Sequence, residues 1–331
     1  MMQLLDLPRE FLIHLLADWL DIGCYGRLDS SYCSRSQRDS LLQTFRDSKL
    51  CLRQADIGII SDKHTLTWAW KKLIAIEAMI IPSTDRRWTL DYDLFSTYLK
   101  EKGHKLLHLG EVHYNQYSYG FFEQIPEYLN STQLTSVLKY CPNLVELEDI
   151  STECVTLVTM AALRRNCKYL KVLSIQHHFF EFWDPTPMIA LVAGGDCAIT
   201  HLRLPSIQNF MSKFAIIARN MKQLRYLRFD RLRDITALEG DDQTFIAIAE
   251  NCLNLESLFL PSTQVLRDSS LAALATGCRA LRELDISRCR HVTSTGLTTL
   301  VRSCSSLTAL NLTECEFIND AGIVALARSC P

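Results

Sequence analysis

From Cys252 to Pro331 the chain repeats one pattern three times and opens a fourth copy. Cys252, Cys278 and Cys304 start the copies, 26 residues apart. Cys330-Pro331 begins the next. Each copy reads C-x-x-L-x-x-L-x-L: Cys252, Leu255, Leu258, Leu260; then Cys278, Leu281, Leu284, Ile286; then Cys304, Leu307, Leu310, Leu312. A period of this length means one supersecondary unit per copy, too small to bury its own apolar face. Stability must come from stacking neighbours.

The pattern also fixes what each copy is made of. Leu284 and Ile286 alternate with Glu283, Asp285 and Ser287, so a short strand points one set inward and the other outward. The spacing then becomes helical: Leu297, Leu300, Val301 and Cys304 in one copy, Ile323, Leu326, Ala327 and Cys330 in the next. Asp268, Ser294, and Asn319 or Asp320 are the expected N-caps of these helices. The L-x-x-L-x-L core, with a further cysteine at Cys289 and Cys315, is the leucine-rich-repeat signature. The expected fold is α/β: a leucine-rich-repeat solenoid, a horseshoe with parallel strands on its concave face and helices on its convex face.

The same frame extends backwards through Leu224-x-x-Leu227-x-Phe229, Ile199-x-x-Leu202-x-Leu204, Leu170-x-x-Leu173-x-Ile175 and Leu144-x-x-Leu147, then Leu106-x-x-Leu109 and Ile76-x-x-Met79-x-Ile81. Helical runs precede the first two strands, at 65–73 and 90–102. About nine repeats over residues 51–331 result, the last one cut off, and the open apolar edge at Cys330-Pro331 leads us to expect a truncated chain. Asp149 fits its inward position poorly. The longer copies carry extra residues at 182–187 and 234–242, expected as loops along one edge.

Residues 1–50 do not follow the repeat. Leu7-Pro8-Arg9-Glu10-Phe11-Leu12-Ile13-His14-Leu15-Leu16 reads as a helix opened by a proline, with an apolar stripe of Phe11, Leu12, Leu15, Leu16 and Trp19. Two more short helices follow, one carrying Leu28 and one carrying Leu41, Leu42 and Phe45. Read from these residues alone, the segment is a small helical domain capping the first coil. Its frame of Leu7-Pro8, Glu10, Ile13, Leu16, Leu20-Asp21, Leu28, Cys33 and Arg35 resembles an F-box. Where that family usually has a tryptophan after the Cys-Arg step, Ser36, Gln37 and Arg38 stand here. Head and repeats together look like the F-box/leucine-rich-repeat class. That resemblance implies a two-ended adaptor, the substrate receptor of a cullin-based (SCF-type) ubiquitin ligase acting in ubiquitin-dependent protein degradation. It also implies that Leu7, Pro8, Glu10, Ile13 and Leu16 contact the ligase adaptor subunit. The alternative is a leucine-rich-repeat interaction scaffold with no ligase connection.

Composition limits the rest. The 331 residues are 48% apolar with a formal charge of -2, which argues against disorder and against a polyanion-binding chain. A basic cluster from Arg219 to Arg233 is too local to make the chain a nucleic-acid binder. The start, Met1 to Asp6, lacks a basic flank and an unbroken apolar run, so no signal peptide is expected. The apolar run near Leu73 to Ile81 is broken by Glu77, and no membrane span is expected. A cytoplasmic or nuclear location follows. Cys141, Cys167, Cys197, Cys252, Cys278, Cys304 and Cys330 share one repeat phase. Parallel rows hold their Cβ atoms too far apart for a disulfide, so stacked reduced thiols are expected. No cofactor, metal or catalytic site is expected, because phosphate-loop, dinucleotide, zinc-protease and serine-hydrolase motifs are all missing. His177-His178, beside Phe179, Phe180 and Trp183, reads as a loop edge or partner contact.

The outward strand positions carry the candidate target site. In order they run acidic at Glu146 and Glu148, neutral through Val172, Ser174 and Gln176, basic at His201 and Arg203, mixed at Tyr226, Arg228 and Asp230, then Ser257 and Phe259, acidic again at Glu283 and Asp285, and last Ala309 and Asn311. Three adjacent strands therefore bring His201, Arg203, Tyr226, Arg228 and Phe259 together. Arginine and aromatics dominate interface hot spots, and an arginine fork suits a carboxylate or phosphate. The expected target is a protein with an acidic or phosphorylated segment. A solvated face with Asp230 neutralising a neighbour is the competing expectation.

Overall fold

The structure, a computed structural model, describes residues 51–52, 75–76, 78–82, 91–112, 129–176, 186–195, 197–205, 211–230 and 243–330. The F-box-like segment 1–50, the helix expected over 65–73, the residues His177 to Trp183 and the loop 234–242 lie outside the described residues.

The described strands are β1 (Cys51–Leu52), β2 (Ala75–Ile76), β3 (Ala78–Pro82), β4 (His108–Val112), β5 (Glu146–Ser151), β6 (Val172–Gln176), β7 (His201–Leu204), β8 (Tyr226–Phe229), β9 (Ser257–Phe259), β10 (Glu283–Asp285) and β11 (Ala309–Asn311). The α-helices are α1 (Tyr92–Lys102), α2 (Ser131–Leu138), α3 (Leu157–Asn166), α4 (Thr186–Val192), α5 (Met211–Ala218), α6 (Gln243–Asn251), α7 (Asp268–Gly277), α8 (Ser294–Ser303) and α9 (Asp320–Ser329). From β3 onward nine strands alternate with helices among the described residues, at the places the repeat frame predicts. This is an α/β leucine-rich-repeat solenoid. Two compact units make it up, Met1–Asp149 with Arg165–Tyr169, and Ile150–Arg164 with Leu170–Pro331.

In the first unit β1 pairs with β2, and β3 with β4 with β5, all parallel. Ile76, Met79, Leu106, Leu109, Leu144 and Leu147 are buried, as the frame requires. α1 begins at Asp91, whose Oδ1 accepts the Leu94 N–H at 3.0 Å. Its buried face carries Phe95, Tyr98 and Leu99, and the Tyr98 hydroxyl accepts the Ile76 N–H at 3.0 Å. α2 opens with a capping box between Asn130 and Gln133, at 2.9 and 3.0 Å. That box satisfies two backbone donors which a helix start otherwise leaves orphaned.

In the second unit β6 to β11 pair in chain order and in register, each parallel to the next. Leu173, Leu202, Leu227, Leu258, Leu284 and Leu310 form one row across them. All but Leu310 are buried. Each such leucine removed from water contributes about 1.5–3 kcal/mol, and the row is why no single copy is stable alone. Glu283 is exposed while Leu284 is 2% exposed, so the expected strand register holds. Asp149 adopts φ 56°, and Ile150, 1% exposed, takes the inward place that Asp149 could not fill. An aspartate tolerates this left-handed conformation better than most residues.

Two expected caps are corrected. α7 starts at Asp268 and α8 at Ser294, so these are first helical residues, preceded by Arg267 and Thr293. Asn319 is the cap of α9, its side chain accepting the Ala321 N–H at 3.1 Å. Asp268 instead reaches the following repeat, accepting the Thr293 N–H at 2.8 Å and the Thr293 hydroxyl at 2.6 Å. Ser294 does the equivalent one copy on: its hydroxyl donates to Asn319 Oδ1 and accepts the Asn319 N–H, both at 2.9 Å. Helix starts are thus stitched from repeat to repeat. Thr186 and Pro187, expected in a loop, form the first turn of α4, a position where proline's missing N–H costs no helical bond.

Several of the phased cysteines act as weak donors between copies. Cys278 Sγ points to the Cys252 carbonyl at 3.9 Å, Cys304 Sγ to the Cys278 carbonyl at 3.4 Å, and Cys330 Sγ to the Cys304 carbonyl at 3.8 Å. In the first unit Cys167 Sγ lies 3.5 Å from the Cys141 carbonyl. Helix ends leave carbonyls without intrahelical partners, and the next thiol fills that need. Cys289 and Cys315 repeat the arrangement at the turns, with Leu260 and Ile286 carbonyls at 3.4 and 3.1 Å. Burial pushes the Cys252 and Cys167 thiols up to about 12, so these sulfurs are poor nucleophiles.

Candidate functional site

The strand register decides which outward residues meet. His201 is the ladder partner of Tyr226, and Tyr226 of Ser257. One step along the strands, Arg203 partners Arg228, and Arg228 partners Phe259. All five residues expected to bind the target thus come together on β7, β8 and β9, on the face pointing away from the buried leucines.

The aromatic members form a continuous ladder. The His201 and Tyr226 rings stack with centroids 5.7 Å apart at 21°, and Tyr226 tilts against Phe259 at 5.2 Å and 40°. Arg228 lies over the Phe259 ring, its guanidinium carbon 5.5 Å from the centroid, within cation–π range. The Thr200 hydroxyl sits 2.9 Å from His201 Nδ1 and steadies the first ring. Such pairs contribute about 0.5–1.5 kcal/mol beyond area burial and favour this arrangement of the rings.

Asp230 organises the two arginines. Its N–H donates to the Leu204 carbonyl at 2.9 Å, which anchors it just past β8. Arg203 Nε donates to both carboxylate oxygens at 3.3 Å and its Nη2 reaches Oδ2 at 3.3 Å, while Arg228 Nε meets Oδ1 at 3.3 Å. The sequence anticipates Asp230 neutralising one neighbour; the structure has it bracing both. Burial pulls the Arg228 guanidinium down, but hydrogen bonds to Tyr226 and Asp230 outweigh it and hold the group above its ordinary value. Two guanidiniums sharing one carboxylate keep one net positive charge, and a guanidinium has five N–H donors. The two arginine side chains are 38% and 40% exposed.

A second cluster, in the first unit, is not anticipated by the sequence reading. His108 is 4% exposed on β4, with Nδ1 2.6 Å from Glu146 Oε2 and Nε2 3.3 Å from Glu148 Oε2 on β5. The ladder puts His108 beside Glu146. Glu146 and Glu148 stood out as acidic outward residues; the signal missed was that His108 occupies the same outward column one strand earlier. The residues Leu7, Pro8, Glu10, Ile13 and Leu16 lie outside the described residues. Among the described residues, no group of three or more His, Cys, Asp or Glu side chains is arranged to hold a metal ion, and no helix is long and apolar enough to cross a membrane.

The family model for the Leucine Rich repeat matches residues 277–301 and 303–327. These two copies are leucine-rich repeats. No curated protein matches the chain at a significant level. Among solved structures, the chain is similar to the crystal structure of the Rad7 and Elc1 complex in yeast, at 14% identity and TM-score 0.48, covering 94% of this chain and 89% of that one. It is also similar to the leucine-rich repeat-containing protein LegL7 from Legionella pneumophila, at 12% identity and TM-score 0.42, covering 79% of this chain and 95% of that one.

Proposed function

We propose that this chain is a protein-interaction adaptor that captures an acidic or phosphorylated segment of a target protein on the outward face of β7 to β9. The observation that carries this reading is the clustering of His201, Arg203, Tyr226, Arg228 and Phe259 into one partly exposed, net-positive patch braced by Asp230. Rigid aromatics with arginine are what an interface hot spot requires, and pre-set guanidinium forks lose little freedom on meeting a carboxylate or phosphate.

The finer reading is that the adaptor is the substrate receptor of a cullin-based ubiquitin ligase. Its support is the F-box-like frame in the sequence, with Leu7, Pro8, Glu10, Ile13 and Leu16 contacting the ligase adaptor subunit. The scaffold reading, in which the repeats bind a target with no ligase attached, is favoured by Ser36-Gln37-Arg38 standing where the family has a tryptophan. One affinity-purification experiment on the full chain separates the two. The wild type recovers the cullin adaptor and the target, Leu7→Ala with Pro8→Ala loses the adaptor alone, and Arg203→Gln with Arg228→Gln loses the target alone. Arg290→Gln, at a side chain 68% exposed and away from the patch, serves as control. A wild type that never recovers the adaptor leaves the scaffold reading. Target recovery unchanged in the double-arginine variant refutes the patch.

A further inference from the structure

Beyond the basic patch, the same face of the second unit changes sign within two strands. Register continues from Tyr226 through Ser257 to Glu283, and from Arg228 through Phe259 to Asp285. Glu283 is exposed, and its side chain makes no ion pair or hydrogen bond among the described residues. Asp285 beside it is held by the Ser287 N–H at 2.9 Å and by Asn311 Nδ2 at 3.2 Å. Between the two charged ends, Ser257 is the one small outward residue, and beside it the Tyr226 and Phe259 rings close against each other with centroids 5.2 Å apart. The face thus reads cationic, then aromatic beside a serine, then anionic.

From this we infer that the bound target segment is an extended peptide running across the strands, with an acidic residue at one end, an apolar residue two positions along, and a lysine or arginine two positions beyond that. The inference rests on the proposed capture of an acidic segment and adds its register. Neighbouring parallel strands lie about 4.8 Å apart, so the midpoint of the arginine pair is about 12 Å from the row of Glu283 and Asp285. An extended chain advances about 3.3 Å per residue, so about four residues cover that span. Side chains at i, i+2 and i+4 of such a chain share one face, which places the acid on the arginines, the apolar residue against the paired Tyr226 and Phe259 rings, and the base on Glu283. Neither chain direction is excluded by the face, so base-to-acid order satisfies it equally.

The test is selection of displayed random twelve-residue peptides on the full-length protein, with parallel selections on Glu283→Lys and on Arg203→Gln with Arg228→Gln. Enriched wild-type peptides should pair an acid and a base four positions apart, give or take one, with an apolar residue between them. Glu283→Lys should weaken those peptides by about tenfold, as expected when a favourable charge contact becomes a repulsive one. It should also select peptides with acids at both ends. Enriched peptides that need the arginines but carry no base at that spacing overturn the register and leave the proposed capture standing. Enrichment indifferent to the arginines, or no enrichment, overturns both. Glu283 is exposed and its replacement leaves Leu284 in place, and circular dichroism of the Glu283→Lys protein confirms that a changed selection reflects the surface and not the fold.

Discussion

Truncating the leucine row one strand at a time should give a graded loss of stability set by what flanks each site. Leu258 is fully buried, with Leu227 at 0% exposure on one side and Leu284 at 2% on the other. Leu284 has Leu258 on one side, but its other neighbour Leu310 is only half-buried. Leucine to alanine removes three carbon groups, about 2.4 kcal/mol of transfer free energy at about 0.8 kcal/mol each. A cavity term follows wherever the walls cannot close. At Leu258 both walls are held by packed neighbours, so the cavity persists and the cost should reach about 3–5 kcal/mol. At Leu284 the looser wall at Leu310 can move in, and about 2–3 kcal/mol is expected. Glu283→Ala, one residue away and outward, should stay within about 0.5 kcal/mol. Urea titration followed by far-ultraviolet circular dichroism measures all three. Hydrogen exchange of β9 to β11 guards against the loss of cooperativity that repeat arrays show. Equal losses at Glu283 and Leu284 place the register off by one, and a larger loss at Leu284 than at Leu258 refutes the argument from flanking walls.

Other outcomes follow from the contacts between copies. Asp268→Ala strips the acceptor from the Thr293 N–H and hydroxyl, and should cost about 1–2 kcal/mol in the same urea assay, the range for a lost capping contact; no change would mean water replaces it fully. Gly277→Ala should destabilise despite alanine's helix-propensity advantage of about 1 kcal/mol, because a Cβ there collides with the Ala249 backbone carbonyl; a raised urea midpoint refutes the close approach. The Cys252 thiol, held up to about 12 by burial, stays neutral in the fold while the unfolded chain ionises it above an ordinary value of 9.0. Its contribution is therefore intact below pH 9 and is lost as pH rises towards 12, at up to about 1.4 kcal/mol per pH unit. The loss between pH 9 and 10.5 should be smaller in Cys252→Ala, and identical slopes in the two proteins would refute the assignment.

The 26-residue period, the alternation around Leu284 and the helical spacing after it are enough to determine the fold class and which residues face inward and outward. These are local, one-dimensional facts: each repeat meets only its neighbours, so period and phase carry most of the tertiary arrangement. The same phase put His201, Arg203, Tyr226, Arg228 and Phe259 on adjacent rows, because parallel ladders in register convert sequence offsets into spatial columns. What sequence could not decide was where side chains reach across a repeat. Asp268 and Ser294 look like caps of their own helices, yet they bond the next copy's Thr293 and Asn319. Asp230 was equally open, one carboxylate within reach of two arginines, and only the position of its backbone against Leu204 sets it between both. His108 lay hidden for the related reason that its two carboxylate partners sit on the next strand. Sequence spacing sets rows and columns; which charge pairs with which depends on side-chain reach, and that is decided only once neighbouring coils are packed.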